Sequence, residues 1–150
     1  MKKQRRLATW LGILVGTVGA VVLAGRAWAS EPMLTQEFHQ TYPMGADGRI
    51  SLENINGAVH ITGWDRNEVQ VDAVKRARRQ ARLDEAKIVV DAHANSISIH
   101  TEYPNHDHNF NWNDENNPAS VEYTLHVPRQ SRLDHVELIN GELDIQDVSG

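Results

Sequence analysis

The feature that most constrains this chain is a ten-residue device used twice. LENINGAVHI, residues 52–61, returns 84 residues later as VELINGELDI, residues 136–145, in the shared frame apolar-Glu-x-Ile-Asn-Gly-x-apolar-x-Ile. Asn and Gly both tolerate positive φ, so Asn-Gly between apolar strands suits a tight type I′ hairpin turn. A two-residue hairpin at Asn56-Gly57 sets Leu52 opposite Ile61, as a buried face requires, but also sets Asn54 opposite Val59 on that face. The alternative is a corner of a β-solenoid, where strands run along successive edges of a coil and equivalent turn residues stack. Val136, Leu138, Leu143, Ile145 and Val148 form short apolar dyads separated by Asn-Gly and Ser-Gly, which favours the corner. Two copies do not fix a period, because three or more are needed.

Period-two alternation dominates the chain after Pro32. Val69, Val71 and Ala73 alternate with Gln70 and Asp72; Ile88, Val90 and Ala92 with Val89 and Asp91; Ile97 and Ile99 with Ser98 and His100. Val121, Tyr123, Leu125 and Val127 alternate with Glu122, Thr124 and His126 without a break. Each run has the length and branching of a strand with one buried face. Turn signals separate them at Ala46-Asp47-Gly48, Asn56-Gly57, Asp65-Arg66-Asn67, Ala94-Asn95-Ser96 and Pro128. The exception is ARRQARLDEA, residues 77–86, built from strong helix formers and read as one short helix. Residues 103–118, YPNHDHNFNWNDENNP, have no apolar period and read as a long exposed loop or disordered excursion. The fold class expected is all-β: a strand-rich domain passing into a β-solenoid, with a helix near 77–86.

The N-terminus carries the signs of export. Lys2, Lys3, Arg5 and Arg6 precede Leu7–Gly25, 19 residues without a charge, and Ala27-Trp28-Ala29 is a small-x-small cleavage site. Residues 1–29 therefore read as a signal peptide cleaved after Ala29, leaving 30–150 as one β domain in the periplasm or at the cell surface. The other reading is an uncleaved anchor, since 19 helical residues at about 1.5 Å each nearly span a ~30 Å bilayer core. Five of the 15 basic residues precede Ser30 and no acidic one does, so 10 basic residues face 20 acidic ones in the remainder. Such a domain is a poor nucleic-acid binder. There is no cysteine, which excludes disulfides, a thiol nucleophile and Cys-ligated zinc.

Four groups of residues carry possible chemistry. His106-Asp107-His108, with His100, Asp114 and Glu115 nearby, is a metal candidate for zinc, copper or nickel, weighed against a solvated loop without a rigid surround. Phe110 and Trp112, alternating with asparagines, could stack on a sugar or fold back over a sheet edge. Lys75, Arg76, Arg78, Arg79 and Arg82 gather half of the basic residues after Ala29 into eight positions. They could meet lipid headgroups or polysaccharide phosphate, or form a solvated face balanced by Asp84, Glu85 and Asp91. Glu53 and Glu137 occupy equivalent repeat positions and read as a structural stack. No nucleophile elbow, zinc-protease helix or phosphate loop occurs.

EFHQTYPM (37–44), GRISLENINGAVHITGWDRNEVQVDAVKRA (48–77) and VEYTLHVPRQSRLDHVELINGELDIQDVSG (121–150) resemble a bacterial adhesin family of envelope proteins, a domain of unknown function. The most specific parts are Asn56-Gly57 followed by Ile61-Thr62-Gly63-Trp64, and Tyr123–Pro128 leading into Asn140-Gly141. The resemblance implies an exported, repeat-containing β-protein whose strand-rich section passes into Gly-Asn-rich coils, with no catalytic residues to carry over. The chain departs from that pattern by stopping at Gly150 as the repeating part begins, which reads as an incomplete C-terminus or a minimal member. The functional expectation is a non-enzymatic envelope scaffold, with no cofactor and no bound metal, presenting loops to an envelope polysaccharide, a membrane surface or a protein. The alternatives are a periplasmic ligand- or metal-binding or sensing module, and a carbohydrate-active β-helix enzyme.

Overall fold

A computed structural model describes residues 32–103 and 117–150. The proposed signal peptide, His106, Asp107, His108, Phe110, Trp112, Asp114 and Glu115 lie outside the described residues. In chain order the elements are β1 (Leu34–Pro43), β2 (Arg49–Asn56), β3 (Val59–Trp64), β4 (Glu68–Ala77), α1 (Gln80–Glu85), β5 (Lys87–His93), β6 (Ser96–Glu102), β7 (Ser120–Pro128), β8 (Arg132–Asn140) and β9 (Leu143–Gln146). The all-β expectation holds, with one short helix. That helix is six residues long rather than the ten from 77 to 86, because Ala77 is still paired in β4.

The strands form two mixed sheets, a five-stranded one in the order β1-β4-β7-β3-β9 and a four-stranded one in the order β5-β6-β2-β8. Pairing is antiparallel for β1-β4, β4-β7 and β5-β6, and parallel for β7-β3, β3-β9, β6-β2 and β2-β8. Alternate side chains of each strand meet in one core. Ile50 and Leu52 of β2, Val59 and Ile61 of β3, Val69 and Val71 of β4, Ile99 of β6, and Val121, Tyr123, Leu125 and Val127 of β7 are all essentially buried. Each such side chain contributes roughly 1.5–3 kcal/mol of burial, so the core rests on the alternating runs visible in the sequence.

The two Asn-Gly pairs are corners between the sheets. β2 lies in one sheet and β3 in the other, so the chain crosses over at Asn56-Gly57, and β8 crosses to β9 at Asn140-Gly141. The hairpin reading therefore fails: β2 and β3 are not hydrogen-bonded neighbours. The second corner stacks on the first with its repeat frame in register, Leu52 beside Val136, Asn56 beside Asn140, Val59 beside Leu143 and Ile61 beside Ile145. Gly57 N–H donates to Asn140 O at 2.9 Å and Val59 N–H to Glu142 O at 2.8 Å. This is one stacked pair of corners in a two-sheet architecture, and three of the seven strand pairings are antiparallel; no solenoid is established by it.

The reason for glycine differs between the two corners. Gly57 has φ +128°, and a Cβ there would lie 2.1 Å from Val121 O. Gly141 is not in the left-handed region, and neither asparagine is, so a type I′ turn is absent at both places. A Cβ on Gly141 would instead lie 2.1 Å from Gly57 O: the second glycine is set by close stacking on the first.

Asn54, the residue that argued against a hairpin, holds the first corner from inside. It is 2% exposed, and its Nδ2 donates to Val121 O at 2.7 Å and Gly57 O at 3.1 Å. Thr101 Oγ1 lies 3.2 Å from Asn54 Oδ1 and 2.7 Å from the Tyr123 hydroxyl. A buried amide is tolerated when its hydrogen-bonding groups are paired, and here the pairing ties β2, β6 and β7 to the corner.

Candidate arginine cleft

The basic run of residues 75–82 divides as it folds. Consecutive residues of a strand point to opposite faces, so Lys75 shares the inward side of β4 with buried Ala73 and Ala77, while Arg76 points outward. Lys75 Nζ donates to Leu83 O and to Ala86 O, both at 2.9 Å. It thereby serves the C-terminal carbonyls of α1, which lack intrahelical partners. Desolvation lowers its pKa from the ordinary lysine value, and nearby Asp84 opposes that shift. Lys75 is thus a fold-supporting residue and not part of the basic patch.

The four arginines converge. Arg76 from the end of β4, Arg78 and Arg79 from the link, and Arg82 from α1 line one cleft of about 330 Å³ with Asn56 and Ser120. Met33, Ala77, Asn117 and Pro118 complete its wall. Asn56 belongs to the repeated corner, and Asn117 and Pro118 end the 103–118 segment, so the cleft adjoins both features singled out in the sequence. Arg76 pairs with Glu122 across β4 and β7, and Arg82 Nη1 lies 2.6 Å from Glu85 Oε2. Arg78, Arg79 and Arg82 also hold interactions within the chain. A guanidinium carries five N–H donors in a planar fork, so the pairing of Arg76 with Glu122 leaves it donors for a second oxyanion. The cleft is at the small end of ligand-pocket volumes and matches a phosphate, a sulfate or one acidic sugar unit.

Of the other sequence candidates, the described ones have structural roles. Glu53 and Glu137 are direct neighbours across β2 and β8. His135 Nε2 stands between them, 3.8 Å from Glu53 Oε1 and 3.3 Å from Glu137 Oε2. His100, the described member of the metal candidate, faces Glu102 at 3.2 Å, and among the described residues no group of three or more His, Asp or Glu is placed to hold a metal. The Trp64 ring is engaged by neighbours within the chain. The Arg66 guanidinium lies 4.8 Å from its ring centroid, the His126 ring 5.3 Å, and Nε1 donates to Glu68 O at 2.8 Å. No helix among the described residues is long and apolar enough to cross a membrane.

Sequence reasoning located the arginines but missed Asn56, Ser120 and Glu122 as their neighbours. Asn56 ends β2 at the first corner and Ser120 and Glu122 lie on β7, and nothing local in the sequence marks their meeting with the arginines. No family model and no curated protein matches the chain. Among solved structures, a crystal structure of a candidate cell adhesion protein from Clostridium sporogenes is similar at a TM-score of 0.41 and 11% identity, over 75% of this chain. The chain spans 59% of the length of that structure, and at this distance no residue or role passes from one protein to the other.

Proposed function

We propose that the chain is a non-enzymatic, adhesin-like envelope protein whose rigid two-sheet scaffold displays the arginine cleft to an anionic partner. The partner class is an acidic envelope polysaccharide, offering phosphate, sulfate or carboxylate groups. One observation carries this reading: four of the ten basic residues after Ala29 converge on a single cleft of an otherwise acidic chain. Arginine clusters recognise oxyanions by charge-assisted, often bidentate hydrogen bonds. Exposed cations concentrated on an acidic body also give a local, salt-sensitive attraction. Export to the envelope rests on the charge and apolar pattern of residues 1–29.

The test is retention of the purified protein on immobilised acidic and neutral polysaccharides across a salt series. Salt-sensitive retention on the acidic polymer, abolished in an Arg78→Glu/Arg79→Glu variant that melts normally, supports the proposal. Equal retention on the neutral polymer, or a variant that binds as well as the parent, would refute it. Turnover of either polymer would replace it with the carbohydrate-active reading.

The in-register corners support a second, architectural reading, in which β2–β3 and β8–β9 are successive steps of a solenoid-type coil. The Gly57–Asn140 hydrogen bond and the Leu52–Val136 and Ile61–Ile145 neighbours are the contacts that such a coil repeats.

A further inference from the structure

The two Asn-Gly pairs are chemically alike and structurally unequal. Spontaneous deamidation at Asn-Gly begins when the glycine backbone nitrogen attacks the asparagine side-chain carbonyl carbon. A C–N bond forms and closes a succinimide, the glycine nitrogen loses its proton, and the side-chain amide leaves as ammonia. Water then opens the ring at either carbonyl, yielding aspartate or isoaspartate; one water enters and one ammonia leaves. The step needs a nitrogen that is not held in a hydrogen bond and a backbone able to swing. Glycine eases the swing, having no Cβ.

At the first corner that nitrogen is held. Gly57 N–H donates to Asn140 O at 2.9 Å, its Cα sits against the Val121 backbone, and Asn54 Nδ2 ties down its carbonyl at 3.1 Å. At the second corner Asn140 and Gly141 are both exposed, and Gly141 N–H has no backbone acceptor among the described residues. The inequality follows from the stacking. β9 and β8 are the outer strands of their sheets, so the amide that corresponds to Gly57 N–H points away from the stack.

We infer that Asn140 is a self-modification site, converting to isoaspartate and aspartate in the folded protein while Asn56 is protected. Isoaspartate routes the main chain through the former side chain and leaves the residue's own carbonyl as a free carboxylate. The acceptor of the Gly57 N–H thereby leaves the chain path, and β9 loses its registered anchor. Leu143 and Ile145 on β9 are already 42% and 43% exposed although they neighbour buried Val59 and Ile61, so little apolar contact remains to hold β9. Age would then be written into the molecule as a loosened second corner.

The test incubates the purified protein at mildly alkaline pH, with and without urea, and maps isoaspartate at both sites by enzymatic methylation and peptide analysis. In the folded protein, conversion at Asn140 is expected to exceed that at Asn56 by about tenfold or more, because Asn56 reacts only through local opening. In urea the two rates should converge. Hydrogen exchange of the aged protein should show lost protection over residues 143–146, whereas Asn140→Asp, which changes charge without lengthening the main chain, should retain it. Equal rates at the two sites in the folded state, or conversion at Asn56 first, would overturn the inference, as would no conversion of folded Asn140 while the urea sample reacts.

Discussion

Gly57 donates its backbone N–H to the carbonyl of Asn140 at 2.9 Å, so one copy of the repeated device is bonded to the other through the corner itself. Because the Gly57 Cα also lies against the central strand β7, its substitution should cost more than that of Gly141, which meets the first corner and the Leu138 side chain. Gly57→Ala combines a left-handed φ with a clash at Val121 O and should destabilise by roughly 3 kcal/mol or more. Gly141→Ala should cost roughly 1–3 kcal/mol, because β8 and β9 can shift outward. Urea denaturation of both variants checks the order.

Asn54→Leu tests the interior of the corner. The second copy carries Leu138 at this position, so leucine satisfies the repeat frame. In the first copy it would remove the donor to Val121 O and Gly57 O and the Oδ1 acceptor of the Thr101 hydroxyl, which would keep only the Tyr123 hydroxyl. The expected loss is roughly 2–4 kcal/mol by equilibrium unfolding, since buried acceptors left unpaired cost about 1–3 kcal/mol each.

Lys75→Met separates the inward lysine from the outward arginines. It removes the ammonium that serves Leu83 O and Ala86 O and should destabilise by about 1–2 kcal/mol. Hydrogen exchange should quicken over residues 80–86. Polysaccharide retention should be unchanged, which distinguishes Lys75 from Arg78 and Arg79.

Alkaline pH should weaken the fold through Tyr123. Burial pushes its phenol up to about 12, against a smaller lowering by the Thr101 hydrogen bond. Folded protein keeps the proton to higher pH than unfolded chain, so the stabilisation is full below pH ~10 and is lost as pH rises toward ~12, about 3 kcal/mol in all. Burial raises Tyr103 as well, which adds in the same direction. Lys75 acts with the opposite sign, its lowered pKa making stability rise with pH, but that effect ends near the ordinary lysine value of 10.5. Unfolding free energies measured at about pH 10.5, 11 and 12 should therefore fall less steeply in Tyr123→Phe than in the parent.

The legibility of the fold was uneven for physical reasons. Val121, Tyr123, Leu125 and Val127 announced β7 because a strand with one buried face must alternate. β1 was not announced as a strand, because it is an outer strand whose only partly buried residues, Leu34, Phe38 and Tyr42, recur every four positions. The partition into two sheets was beyond the sequence, since it depends on parallel pairing between residues 84 apart, such as Leu52 with Val136. Likewise the basic run was visible as a concentration of charge. Which members share a cleft followed only from the phase of β4, which sends Lys75 inward and Arg76 outward.

The central claim, that the arginine cleft is the binding surface, is tested most directly by residue-resolved NMR titration of the purified protein with an acidic oligosaccharide. The account predicts saturable shifts confined to Asn56, Arg76, Arg78, Arg79, Arg82 and Ser120, fading as salt is raised. Shifts centred instead on Trp64, Arg66 and Arg129, or a spectrum that does not change at all, would contradict it.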